Sequence, residues 1–307
     1  MTLGNRSRAG AVAALRARAA GSIRQFFAER DVIEVHTPLI TASGVTDVHI
    51  ESLGLSDGRY LRTSPEYAHK RLLAAGVGDL YELGPVFRAG ESGRNHRVEF
   101  WLLEWYRVGW RWTELASEAV ELVQRVLPDR YRRVEFLTWH QAVQRATGFE
   151  VDPEDSASVR DAAGDAPEGL GIPETLDWLF ACRVQPALDR DTLTVVHDYP
   201  ACQAALARIK PDDPAWAERF ELFAGTLELA NGYHELTDPA EQRSRFEADN
   251  RRRLELGRPA MPIDAELLDA LAAGLPDCCG IALGFERLLM AGDPGQAIEA
   301  FTLAGHR

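Results

Sequence analysis

Glu99-Phe100-Trp101-Leu102-Leu103-Glu104-Trp105-Tyr106-Arg107-Val108 is the stretch on which the reading of the fold turns. Aromatic and aliphatic residues dominate it, and such residues suit extended chain. Side chains along a strand alternate between two faces. Phe100, Leu102, Glu104 and Tyr106 therefore share one face, and Trp101, Leu103 and Trp105 share the other. The tryptophan face reads as core. Upstream, Leu80–Arg88 is a second strand, and the polar loop Ala89–Val98 joins the two as a hairpin.

Working outward, residues 11–30 read as a helix, with Ile23, Phe26 and Phe27 at helical spacing. It runs into the β-branched segment Val32 to Val35, then Pro38. Val48–Leu53 and Arg59–Thr63, split by Ser56-Asp57-Gly58, form a second expected hairpin. Ser64-Pro65-Glu66 opens a helix, with Ser as N-cap and Pro in the first position, and Gly76 closes it. Leu115, Ala119, Leu122, Val123 and Val126 mark an amphipathic helix.

Residues 149–173 are rich in Asp, Glu, Gly, Pro and Ser, and are expected to be a solvated surface insertion with one short helix. Leu193–His197 reads as a buried strand, followed by a strand pair at Arg219–Phe223 and Thr226–Gly232. Asp238 caps a helix that continues through Arg251–Arg253 to Gly257. Gly280–Leu283 is an apolar strand, and a helix begins at Phe285. Strands linked mostly as hairpins, with interspersed helices and no regular βαβ alternation, predict an α+β fold: an antiparallel sheet flanked by helices, in one domain spanning 1–307.

The composition narrows the function. Among 307 residues, 47 are acidic and 34 basic, giving a formal charge of −13. Broad nucleic-acid surfaces show the opposite balance, so tRNA is not an expected partner. Lys70 and Lys210 are the only lysines; the other positive charges are arginines, as a GC-rich genome favours. The cysteines Cys182, Cys202, Cys278 and Cys279 form neither a zinc pattern nor a disulfide framework, which points to the cytoplasm. No stretch approaches the ~18 apolar residues of a membrane span.

Three segments are more specific together than any one alone: Ile23–Pro38; Val86-Phe87-Arg88 with Glu99-Phe100 and Glu104-Trp105-Tyr106; and Gly280-Ile281-Ala282-Leu283-Gly284-Phe285-Glu286-Arg287. In that order they resemble motifs 1, 2 and 3 of the class II aminoacyl-tRNA synthetases. Thr63-Ser64-Pro65-Glu66, Asp198-Tyr199-Pro200-Ala201 and the run from Glu228 through Glu235 to Leu236 resemble the lysyl branch. The closest resemblance is to the elongation factor P–lysine ligases, truncated paralogues of lysyl-tRNA synthetase. It covers about Ala20 to Arg287, and no anticodon-binding domain is expected.

The chemistry agrees with the motifs. Activating a carboxylate with ATP is in-line attack on the α-phosphate, catalysed mostly by positioning and electrostatic stabilisation. Arginine suits that work, being permanently charged and able to fork onto phosphate or carboxylate. The resemblance implies that Arg88 bridges the substrate carboxylate and α-phosphate, while Arg287 holds the γ-phosphate, as the two catalytic residues. It also implies ATP contacts at Glu91, His96, Arg97, Phe100, Glu228, Leu229 and Gly284. Phe100 offers a flat face for adenine, and Gly284 a close backbone approach. Ser64, Pro65, Glu66, Glu104, Tyr106 and Glu235 are implied to bind the amino acid, and acids around one cavity suit a substrate with two ammonium groups.

Glu228 and Glu235 are seven residues apart, so a regular strand would point them to opposite faces. A bulge at Asn231-Gly232 would restore a common face. Two converging carboxylates suit Mg²⁺ or an ammonium group.

The resemblance weakens in the motif 2 loop. Ala89, Gly90 and Glu91 stand where the family has Asn-Glu-Glu, and Arg97-Val98 where it has Asn-Pro. The expected function is an ATP-dependent ligase that adenylates lysine or (R)-β-lysine and transfers it to a lysine ε-amine of elongation factor P. Adenylation of another amino acid for a carrier protein or small amine, or a catalytically silent regulatory protein, are the alternatives. Motif 1 implies a homodimer.

Overall fold

The structure is a computed structural model that describes residues 3–303. Met1 and Thr2 lie outside the described residues, as do 304–307. In chain order the elements are α1 (Leu3–Ala28), β1 (Ile33–Glu34), β2 (Ile40–Thr41), β3 (Leu53–Gly54), β4 (Tyr60–Leu61), α2 (Glu66–Ala74), β5 (Leu80–Phe87) and β6 (Glu99–Val108). There follow α3 (Trp112–Val126), β7 (Arg133–Thr138), α4 (Trp139–Thr147), α5 (Ser156–Ala163), α6 (Ile172–Leu179), β8 (Thr192–Pro200), β9 (Trp216–Ala224) and β10 (Leu227–His234). Last come α7 (Pro239–Glu255), α8 (Ala265–Gly274), β11 (Cys278–Gly284) and α9 (Phe285–Gly292). The chain forms two compact units. One is built from the segments up to Trp110 and from Thr237 onward, the other from Arg111–Leu236.

In the first unit the strands lie in the order β1-β5-β6-β11, with β1 parallel to β5 and the other pairs antiparallel. The β5–β6 hairpin has the expected faces. Phe27 of α1 stacks on Tyr81 with ring centroids 4.3 Å apart and meets Trp105 edge-on, so α1 covers the Tyr81, Leu83, Leu103, Trp105 side. Ile23, Phe26 and Phe27 are buried there because i, i+3, i+4 spacing places them on one stripe of the helix. The opposite side carries Leu80, Glu82, Gly84, Leu102, Glu104 and Tyr106.

Local rules account for the helix ends. Pro65 rather than Ser64 occupies the N-cap of α2, while Ser64 Oγ accepts the Glu66 N–H at 3.4 Å. Gly76, at φ +84°, follows the last turn. Asp238 caps α7 by accepting from the Ala240 and Glu241 N–H groups. The hairpin expected over Val48–Thr63 is confined to β3 and β4. Side-chain contacts replace the ladder before it: Ser52 Oγ accepts the Val45 N–H, and Thr46 bonds Asp249. Within the basic run Arg251–Arg253, Arg253 is fully buried, donating to the Pro259 and Asp47 carbonyls and pairing with Glu51 at 3.2 Å.

In the second unit the order is β10-β9-β8-β7, with β7 parallel to β8. Trp112 at the start of α3 lies against His197 and Phe220. A core cluster joins Val196, Tyr199 and Phe223 to α4, α5, α6 and the turns after them. Within 149–173, the short helix is α5, capped by Asp155. Val151, Val159, Ala162 and Ala163 of that segment are buried in the cluster, while Phe149 stays exposed.

Gly232 of β10 pairs with Phe220, whose ring a Cβ at that position would overlap. Gly232→Ala is therefore expected to destabilise the protein by ~1–3 kcal/mol through overpacking. An unchanged denaturation midpoint would show that the ring yields freely.

Candidate active site

Arg88 and Arg287 stand at the same end of the β5–β6–β11 strands. Arg88 follows β5, and its N–H bonds the Val98 carbonyl to close the motif 2 loop. α9 starts where Gly284 pairs with Leu102. The loop returns onto α9: Arg287 Nε lies 3.4 Å from the Asn95 carbonyl, and its guanidinium is 2.6 Å from His96 Nε2. Ile298 N–H donates to the Arg94 carbonyl, which ties the loop to the C-terminal segment. Arg88 Nε donates to the Thr63 carbonyl at 3.2 Å, and its guanidinium lies 5.2 Å from the Phe100 ring centroid and 3.6 Å from Glu91. Arg88, Glu91 and Phe100 are thus one group. Arg97 points to Thr302 Oγ1 instead, at 3.3 Å. Gly284 has φ −69°, so its backbone is ordinary and a Cβ would meet Arg287 at 3.4 Å.

Glu286, which the sequence reading passed over, anchors this corner. Its buried carboxylate accepts the Trp101 N–H at 2.9 Å and pairs with Arg16 at 2.6 Å. That clamp sets where the first turn of α9, and hence Arg287, begins.

Two of the acids assigned to the amino acid, Glu66 and Glu104, lie close enough at α2 to feel each other's charge. Glu104 and Tyr106 are adjacent same-face residues of β6, and Tyr106 donates to Glu104 Oε1 at 2.9 Å. Glu66 in the first turn of α2 is 2.7 Å from Lys70 Nζ. Burial pushes the Glu66 carboxyl up, Lys70 opposes this, and the Glu104 charge adds to the rise. Ser64 and Pro65 line a small pocket with Thr41, Ser43, Gly44 and Arg71.

A second set of acids belongs to β9 and β10. The register shifts between Glu228 and Ala230, so the bulge lies at Leu229, two residues before the Asn231-Gly232 position expected. Glu228 pairs with Phe223 and Asn231 with Glu221, so Glu228, Asn231 and Tyr233 share a face with Glu221. Glu235 follows the strand with the same parity, buried, its backbone bridged to Ala207. Leu229 is buried, so only its main chain is available to a nucleotide.

Glu221 was missed by sequence reading, although its place two residues after Arg219 in an expected strand put it on that face. It pairs with Arg219 at 2.5 Å and accepts the Tyr199 hydroxyl at 2.7 Å. Burial pushes its carboxyl up, Arg219 opposes this, and Glu228 raises it further.

Among the described residues no group of three or more His, Cys, Asp or Glu side chains forms a metal cage. Mg²⁺ on a nucleotide commonly takes one or two carboxylates and fills its shell with phosphate oxygens and water, and the Glu228 and Glu235 oxygens fit that donor chemistry.

The chain matches the model of the tRNA synthetases class II (D, K and N) over residues 1–299. It belongs to this class II synthetase family. The elongation factor P–(R)-β-lysine ligase of Salmonella paratyphi B is 45% identical over 293 residues, which is 90% of this chain and 89% of the relative. The ligases of the same name from Salmonella schwarzengrund and Salmonella agona match with the same identity and coverage. The class II assignment agrees with the α+β architecture, the β5–β6 hairpin, and the β11–α9 junction that carries Arg287. No helix among the described residues is long and apolar enough to cross a membrane.

Proposed function

We propose that the chain is an ATP-dependent ligase that activates lysine or (R)-β-lysine and transfers it to the ε-amine of a lysine of elongation factor P. The observation that carries this reading is 45% identity over 90% of the chain to elongation factor P–(R)-β-lysine ligases. The buried acid and phenol group under α2 agrees with it.

In the first step a substrate carboxylate oxygen attacks the α-phosphorus of ATP, and pyrophosphate leaves. Arg88 is assigned to the substrate carboxylate and α-phosphate, where its fork compensates the charge that grows on the phosphate oxygens. Arg287 is assigned to the γ-phosphate, Phe100 to adenine, and Glu91, His96, Arg97, Leu229 and Gly284 to the rest of the nucleotide. Ser64, Pro65, Glu66, Glu104, Tyr106 and Glu235 are assigned to the amino acid, its ammonium groups meeting carboxylates. In the second step the acceptor amine attacks the adenylate carbonyl, an amide forms, AMP leaves and the amine loses a proton. Glu228 and Glu235 would hold Mg²⁺, which neutralises phosphate charge when bound.

Pyrophosphate exchange should depend on lysine or (R)-β-lysine, and mass spectrometry should find elongation factor P heavier by the acyl group. Absence of exchange with every basic amino acid would overturn the reading. Exchange without a modified factor would reassign the acceptor to a carrier protein or small amine.

The reading extends to one catalytic domain acting in the cytoplasm, to which the free cysteines are suited, and to a homodimer. Ile33, Leu39 and Ile40, in and after the motif 1 segment, are 49%, 38% and 41% exposed. Apolar side chains so placed suit a dimer interface. Sedimentation should give twice 34.0 kDa; a monomer at micromolar concentration would refute the dimer.

A further inference from the structure

On the face of β5 and β6 opposite α1, two buried carboxylates stand directly across from each other: the register pairs Glu82 with Glu104. Like charges at opposed positions of an antiparallel pair repel, and exclusion of water strengthens the repulsion. His69 of α2 stands between them, 0% exposed. Its Nε2 is in a hydrogen bond with Glu82 Oε2 at 3.1 Å, and its Nδ1 approaches Glu104 Oε1 at 3.3 Å as an ion pair without hydrogen-bond alignment. Carboxylates only accept, so an imidazole facing one with each nitrogen matches both only when both nitrogens carry protons.

The Glu82 side of this bridge is fixed. Glu82 Oε2 accepts from the Thr37 N–H and hydroxyl at 3.1 and 2.7 Å, and Oε1 is 2.7 Å from Arg62. Arg62 in turn donates to Thr37 Oγ1 and to the Pro85 carbonyl. Gly84 makes room for it, since a Cβ there would lie 2.7 Å from the guanidinium. Burial pushes the Glu82 carboxyl up, but His69, Thr37 and Arg62 outweigh it and hold the group at about 2. Glu104 is met on the same oxygen by Tyr106.

We propose that His69, as the imidazolium, is the positioning residue for Glu104: it balances the opposed carboxylates and fixes the direction in which Glu104 meets an ammonium group of the amino-acid substrate. This rests on the assignment of Glu104 to the substrate.

The charges balance. Arg62 and His69 offset Glu82 and Glu104, and beside them on α2 Lys70 offsets Glu66. Burial lowers the His69 pKa, while Glu104 and Glu82 raise it, and the net direction is upward. A group with a raised pKa keeps its cationic contribution below that value and loses it as pH climbs through it. Affinity for the amino acid should therefore fall on the alkaline side, while affinity for ATP does not.

The test is pyrophosphate exchange with His69→Gln, Glu82→Gln, the double variant and Glu104→Gln, each checked by thermal melting. His69→Gln should raise the amino-acid KM about tenfold and leave the ATP KM within about twofold. The double variant should recover much of this loss, because removing Glu82 with His69 leaves Arg62 and Glu104 balanced. Glu82→Gln should move the alkaline loss of affinity to lower pH, since it withdraws one of the two acids that hold the proton on His69.

An unchanged amino-acid KM in His69→Gln, or a double variant as impaired as the single, would overturn the proposal. Should His69→Gln not fold, an alkaline limb unmoved in Glu82→Gln overturns it equally. Failure of the underlying assignment looks different: Glu104→Gln would then keep its wild-type amino-acid KM.

Discussion

Arg88→Ala is expected to lower amino-acid-dependent pyrophosphate exchange by ~10³-fold or more, while the melting temperature stays within a few degrees of wild type. The second half of that statement follows from what Arg88 does in the ligand-free protein. It makes one hydrogen bond to the Thr63 carbonyl, a 3.6 Å approach to Glu91, and a cation–π contact with Phe100 at a part-exposed site. Contacts of that kind are worth at most ~1 kcal/mol each. Its loss therefore removes little that holds the fold.

The first half follows from the chemistry assigned to it. Charge grows on the α-phosphate oxygens as the carboxylate attacks, and removing a preorganised donor from such a site costs ~10²–10³-fold or more. Arg88→Lys keeps the charge but not the fork, so it should fall between, with a loss of ~10²-fold. Single-turnover adenylate formation measures the step directly. If Arg88→Ala kept even a tenth of the wild-type rate, the assignment of Arg88 to the substrate carboxylate and α-phosphate would fail. Arg253→Ala makes a useful contrast, since that arginine is fully buried and tied to Asp47, Glu51 and Pro259. It should lower stability and leave the rate per folded molecule alone.

The two arginines also show what the sequence conveys. Period-two alternation over Glu99–Val108 put Trp101, Leu103 and Trp105 in the core and Glu104 with Tyr106 on the other face. The structure has that division, with Trp101 half-buried, because one residue of slip would have turned the Glu104 carboxylate in under the apolar stripe of α1. Motif order then located β11 and the turn that carries Arg287. Alternation could not show that the second face is also covered. His69 reads as an ordinary helix residue one turn into α2, and only the Glu82–Glu104 register makes it a bridge. Glu286 escaped notice for the same reason, since its partners Trp101 and Arg16 are distant in sequence. The few apolar residues of 149–173 were hidden by polar neighbours, although Val151, Val159 and the Ala162-Ala163 pair suffice to dock α5.

Glu228→Gln should lower exchange by ~10²-fold at fixed magnesium, with partial recovery as magnesium is raised. The bulge at Leu229 decides this expectation. Without the extra residue, Glu228 and Glu235 would point to opposite faces; with it, Glu228 shares a face with Asn231 and Tyr233, and Glu235 follows two residues on. A carboxylate supplies Mg²⁺ with a charged oxygen, and the isosteric amide keeps the shape but not the charge. The loss should therefore reside in the magnesium requirement and the ATP KM. Glu235→Gln should differ, raising the amino-acid KM as well, because that acid is assigned to both the metal and the substrate.

Glu221 makes the comparison sharper. It lies on the same face of the neighbouring strand, its carboxyl is pushed up by burial and by Glu228, and its oxygens are engaged by Arg219 and Tyr199. If Glu221→Gln shows the magnesium phenotype and Glu235→Gln shows only the amino-acid one, the ion belongs between Glu221 and Glu228. Wild-type magnesium dependence in Glu228→Gln would remove Glu228 from the metal altogether. Magnesium titrations of the three variants, read as exchange rate and ATP KM, separate these outcomes because each carboxylate changes a different pair of constants.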